Sequence, residues 1–227
     1  MPAVYSRKYR LAALAFGLSV TSTPQSALLR PVESDAPGLT FGVRPPGFSY
    51  GKKYRSIRTV DFRNFTMISF DPAGRLLAEV ALRKGHYELT EELFRDSVDI
   101  LGIHYLRRSG GSNPVSALVL SSWWAAGGSS SQFSQAGIFA LQGGALRVIQ
   151  EFSWDTHFTP DGPTESFDPL TQTLVVRSAH RLNGDAHCCV SAQDAVTFRW
   201  NGNQFVLASV NTQLTDFGKS EGKALPR

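Results

Sequence analysis

From residue 57 onward, apolar and polar residues alternate in short runs broken by turn signals, the pattern of half-buried β-strands. The clearest case lies in 186–210, where Asn201-Gly202 separates two alternating runs. Asn-Gly favours a two-residue type I′ hairpin loop, because both central residues need φ > 0. That loop sets Trp200 opposite Asn203, Phe198 opposite Phe205 and Val196 opposite Leu207. The apolar residues then share one face, with Thr197, Arg199 and Gln204 mostly on the other.

A second hairpin is predicted around Gly143-Gly144, with Leu141 facing Leu146 and Phe139 facing Val148. A third, around Asn183-Gly184, pairs Leu182 with Asp185 and His180 with His187. Further strands are predicted at 57–65, 67–70, 76–82, 86–89 and 98–106, with tight turns at 71–74 and at Lys84-Gly85. The strongly apolar run 115–124 predicts a central strand. Residues 90–97 read as a single helical turn capped by Thr90. The fold class is therefore mainly β: an antiparallel sandwich or barrel-like single domain with at most one or two short helices.

Outside this region the pattern changes. Residues 1–27 combine a basic start (Arg7, Lys8, Arg10), an apolar stretch at 11–20 and small polar residues, as in a secretory signal. Residues 28–56, with Pro31, Pro37, Pro45 and Pro46, read as an extended or disordered linker. The globular domain is placed at 57–210, followed by a flexible tail at 211–227. Export to the periplasm or beyond follows from the signal, and no transmembrane segment is expected after its removal.

Charge changes this picture little. The chain has 23 Lys+Arg, and setting aside Arg7, Lys8 and Arg10 leaves 20 against 19 Asp+Glu. A near-neutral balance gives no basic footprint for nucleic acid. The basic run at 44–63, with Lys52, Lys53, Arg55 and Arg58, reads as a solvated approach to the first strand.

Several pieces carry a family resemblance: Val60-Asp61-Phe62-Arg63-Asn64-Phe65-Thr66, Leu174-Val175-Val176, Cys188-Cys189-Val190 and Phe198-Arg199-Trp200-Asn201-Gly202. Over roughly 57–207 the chain resembles a group of exported bacterial single-domain proteins of unknown function, distantly FG-GAP-like. The resemblance implies a β-fold and export, and no particular chemistry. That group's acidic calcium loop falls here on 107–117, where Arg108, Ser112 and Ser116 stand at the acid positions. A hard dication needs anionic oxygens, so calcium is not expected at this loop.

Cys188 and Cys189 are the only cysteines. In an oxidising compartment an isolated pair tends to oxidise, so a vicinal disulfide is expected, with two packed thiols or redox or metal chemistry as alternatives. His180 and His187, with Asp185 or Cys189, form a candidate zinc or copper set if the Asn183-Gly184 register holds. The acids Asp155, Asp161, Glu165 and Asp168 read as solvated loop residues. Trp123 and Trp124 adjoin a Gly/Ser-rich loop and are candidate ligand-binding residues, although alternation buries at least one of them. No nucleophile elbow, zinc-protease, P-loop or dinucleotide signature is present. The reading favoured is a non-enzymatic binding or structural module of the cell envelope that takes a protein, peptide or glycan and uses no cofactor. The alternative is a metal-dependent hydrolase with a site near His180, His187 and the 155–168 loop.

Overall fold

An apolar strand with both faces dry must lie inside a sheet covered on two sides. In the computed structural model the run at 115–124 does so as part of β6 (Pro114–Ala126). The structure describes residues 39–41, 48–70, 76–91, 94–126, 131–156, 164–182, 185 and 190–225. The chain divides into Met1–Arg30 and Pro31–Arg227, and every described residue belongs to the second unit. The signal expected at 1–27 thus lies outside the described residues.

The remaining strands are β1 (Leu39–Phe41), β2 (Thr66–Phe70), β3 (Leu76–Ala81), β4 (His86–Glu91), β5 (Phe94–Arg107), β7 (Ser131–Gln142), β8 (Ala145–Asp155), β9 (Glu165–Asp168), β10 (Thr173–His180), β11 (Ala192–Trp200) and β12 (Phe205–Leu214). They form a 6-stranded sheet ordered β1-β8-β7-β6-β5-β4, a 4-stranded sheet ordered β12-β11-β10-β9, and the β2-β3 pair. Every pairing among them is antiparallel. Among the described residues no helix is long and apolar enough to cross a membrane.

The architecture is a sandwich with a third layer. Leu118, Leu120, Ile138, Phe152 and Trp154 of the large sheet pack against Leu174, Val176, Val196, Phe198 and Phe205 of the smaller one. Its opposite face, with Val119, Trp123, Phe139 and Leu146, is covered by Ile57, Val60, Phe62, Phe65, Met67, Val80 and Leu82. Phe139 is the hub of this second core, within 5.0 Å of Phe62, 5.8 Å of Phe65 and 6.0 Å of Tyr50 by ring centroids.

The Gly143-Gly144 hairpin has the register its turn chemistry predicts: Leu141 opposite Leu146 and Phe139 opposite Val148. Both glycines take positive φ, 58° and 82°, as a type I′ turn demands. The Asn201-Gly202 hairpin does not follow the predicted register. Asn201 Oδ1 accepts from the amides of Asn203 and Gln204, and the Asn201 amide donates to the Gln204 carbonyl, so the loop takes four residues. Trp200 therefore faces Phe205, and Phe198 faces Leu207, with a bulge beyond. The Asn side chain bonding its own backbone outcompetes the two-residue turn. Val196, Phe198, Trp200 and Phe205 are buried as expected, whereas Leu207 is exposed.

Other expectations are corrected. Residues 57–64 are not a strand but two 3-10 turns, Ile57–Thr59 and Phe62–Asn64. Ser56 and Asp61 cap them by accepting backbone amides, a local bonding route that competes with a ladder. The helical turn at 90–97 is replaced by the β4–β5 hairpin, in which Glu91 faces Phe94; cross-strand pairing overrides local preference. The linker at 28–56 supplies β1, paired on β8 (Leu39 opposite Trp154), and places Tyr50 and Tyr54 on the second core. The tail at 211–227 continues β12 and then forms α1 (Asp216–Ser220), capped by the Thr215 hydroxyl. Gly218 packs on Ser191 so closely that an added Cβ would lie 2.0 Å from its carbonyl oxygen.

Candidate functional site

On the inward face of β11, alternation places Ala192, Asp194, Val196, Phe198 and Trp200, all buried. Asp194 is the only ionisable member of that row and is fully shielded from solvent. A carboxylate so placed needs hydrogen-bond donors, since an uncompensated buried charge is very costly. It finds one on each neighbouring strand. His180 Nδ1 on β10 lies 2.7 Å from Oδ2, and the Thr212 hydroxyl on β12 donates to Oδ1 at 2.5 Å. The carboxylate thereby ties three strands together at one end of the small sheet. An ionised Asp194 accepts from His180 Nδ1–H, the tautomer that places the imidazole lone pair on Nε2. The His180 side chain is 21% exposed, so water reaches it.

Ser178 lies directly opposite Asp194 and is also fully buried. Its hydroxyl has no hydrogen-bond partner, so the structure links it neither to the imidazole nor to the carboxylate. Serine, histidine and aspartate are therefore neighbours here without forming a nucleophilic relay.

The connection after β10 is anchored by Asp185. Its carboxylate accepts from the Leu182 amide (2.9 Å), the Ser191 amide (2.9 Å) and the Ser191 hydroxyl (2.5 Å), with Lys223 Nζ at 3.5 Å. The Asp185 amide donates to the Leu182 carbonyl, so the expected Leu182–Asp185 turn is present. β10 takes β11 as its partner, with His180 opposite Ala192. Of the two-histidine metal set, only His180 and Asp185 are among the described residues. His187, Cys188, Cys189, Asn183 and Gly184 lie outside the described residues. Among the described residues no three His, Cys, Asp or Glu side chains converge as a metal site.

Burial pushes the Asp185 carboxyl up, but the Ser191 hydroxyl and amide, the Leu182 amide and Lys223 outweigh it and hold the group at about 2. The folded value is below the ordinary 3.8, so this stabilisation is complete above that value and is lost as pH falls through about 2. Comparing Asp185→Asn with the wild type should give a stability gap that is constant above pH 5 and narrows between pH 4 and 2. Denaturant midpoints measured across that range check the prediction.

The remaining predicted residues separate. Trp123 is buried in the second core, stacked on Phe133 at 5.7 Å, with its indole N–H donating to Ser121 Oγ; it presents no face to a ligand. Trp124 is half-buried on the other side of the strand. Asp155 ends β8, Asp168 ends β9 and Glu165 begins it, so these acids stand on different elements; Asp161 lies outside the described residues. The segment aligned with a calcium loop is exposed at 107–113 and anchored through the backbone of its first residue. Gln172 accepts from the Arg107 amide at 2.7 Å, and the Trp200 indole donates to the Arg107 carbonyl at 2.8 Å.

Two features escaped the sequence reading. Asp194 was findable as an acid in a row where alternation demands apolar residues. The other is β12, ten residues with no charged side chain or proline, expected to be half buried but exposed from Val206 to Asn211. Its Val206, Leu207 and Val210 are 37%, 40% and 38% exposed. At its first residue the Gln150 side chain closes the edge, donating to the Phe205 carbonyl and accepting from its amide. The other edges of the two large sheets are blunted. β1 has three residues, β9 four with two acids, and β4 carries His86, Glu88 and Glu91.

Comparison with protein-family models, with curated proteins and with solved structures finds no match to this chain.

Proposed function

We propose that the protein is an exported, non-enzymatic binding module of the cell envelope that accepts an extended peptide segment of a partner protein along β12. The observation that carries this reading is the uncharged, exposed edge formed by 206–211, beside edges that are short or charged. A strand edge of this kind offers backbone hydrogen bonds, and its apolar side chains supply contact area. The test is a photo-crosslinking side chain at Val206 of the full-length protein in cells that export it. Adducts mapping to an extended segment of one envelope protein, and lost in a Leu207→Lys/Val210→Lys variant with unchanged circular dichroism and melting temperature, are the expected result. Adducts mapping only to β12 of a second copy, or none, overturn it.

A second reading, a metal-dependent hydrolase centred on His180, is favoured by one observation: Asp194 lies 2.7 Å from Nδ1 of the imidazole and orients the ring. Zinc or copper titration followed by the His180 imidazole resonances tests it, and unmoved resonances remove it.

A further inference from the structure

The antiparallel order brings four connections to one end of the sandwich: β5–β6, β7–β8, β9–β10 and β11–β12. The Arg107–Gln172 hydrogen bonds join the first to the third. The last lies beside the first, since a Cβ added at Gly202 would meet Arg108 Cγ at 3.8 Å. The second is joined by Lys53, bridged to Ala145.

None of these four connections contains an aspartate or glutamate. Arg107, Arg108, Arg199, Lys52 and Lys53 are all exposed there, and none has an ion-pair partner among the described residues. Lys52 rests over the Tyr54 ring at 5.4 Å. The nearest acid in sequence, Asp168, is occupied within its own turn, accepting from the Leu170 amide and the Thr171 hydroxyl. By contrast Glu91, Asp155, Asp185 and Asp216 lie at the opposite ends of their sheets.

From the same basic end projects Leu170, at the tip of the β9–β10 turn and 93% exposed, the most exposed large apolar side chain described. The turn does not hold it out by chance. Asp168 fixes the Leu170 amide, Gln172 takes a left-handed φ of 51°, and its side chain is clamped on the Arg107 backbone. An apolar side chain on a hydrogen-bonded turn, at the same end as cations without an ion-pair partner among the described residues, matches the layered chemistry of a bilayer surface, phosphates outside and acyl chains beneath.

We propose that this end of the sandwich docks on an anionic phospholipid surface, with Leu170 entering the headgroup–acyl boundary and Arg107, Arg108, Arg199, Lys52 and Lys53 on lipid phosphates. The inference does not depend on the β12 reading, which concerns a different edge of the small sheet. Binding through surface cations is screened by salt, because the Debye length shrinks to about 3 Å at 1 M. Binding through an inserted side chain is not.

The test is co-sedimentation of the full-length protein with phosphatidylglycerol-containing vesicles and with pure phosphatidylcholine vesicles. Expected are binding to the anionic vesicles alone, at least tenfold weakening in Arg107→Glu/Arg108→Glu or in 0.5 M NaCl, and severalfold weakening in Leu170→Ser. Leu170 touches nothing that the fold needs, so that variant keeps its melting temperature. Absence of binding at low salt overturns the proposal. So does equal binding of Leu170→Ser, or binding to a soluble sulfated polysaccharide in place of vesicles.

Discussion

Phe139→Ala is expected to destabilise the protein by about 4 kcal/mol, in the range for emptying a buried aromatic site. The ring is 2% exposed and is where the β-sheet and the covering 3-10 turns meet. It also lies over Gly137, where an added Cβ would stand 2.9 Å from the Phe139 ring. Removing the ring leaves Tyr50, Phe62 and Phe65 without their common neighbour. None of the three can follow the backbone inward, because each is held by its own turn or strand, so the cavity stays open. Urea unfolding followed by tryptophan fluorescence measures the loss. A loss under about 1 kcal/mol would mean that the 57–65 layer is not packed on the large sheet.

Asp194→Ala is expected to cost about 3 kcal/mol, for a different reason. Alanine fits the space but leaves Thr212 and His180 without their acceptor inside the small sheet. Asp194→Asn is expected to cost much less, on the order of 1 kcal/mol. Its carbonyl still accepts from Thr212, and its amide donates to His180 Nδ1 if the imidazole moves its proton to Nε2. Nitrogen chemical shifts of His180 report the tautomer directly. The wild type should show the proton on Nδ1 and Asp194→Asn on Nε2. Equal losses for the two variants, with no tautomer change, would show that Asp194 does not orient the imidazole. The same spectra bear on the metal reading, since only the wild-type tautomer offers Nε2 as a ligand.

How far the site could be read from sequence depends on how far apart its members lie. His180 was recognisable as a candidate, but its partner Asp194 is 14 residues away on the next strand. Asp185, which accepts from the Leu182 amide, also accepts from the Ser191 amide and hydroxyl just before β11. No local pattern encodes that contact. Trp123 shows the opposite case: alternation had already buried one of the two tryptophans.

Period-two alternation, the strongly apolar run of β6 and the glycine pair at 143–144 were sufficient by themselves for an antiparallel β-fold, its central strand and one register. Each of these depends on φ/ψ preferences and side-chain direction within a few residues. Tertiary structure alone decided that residues 57–64 cover a sheet face as 3-10 turns, and that residues 39–41 add an edge strand. It also decided that Asp194 binds both flanking strands, and that the connection carrying Arg107 and Arg108 lies beside the β9–β10 turn. These outcomes depend on which distant surfaces meet, and that is settled by burying apolar area and satisfying buried polar groups over the whole fold.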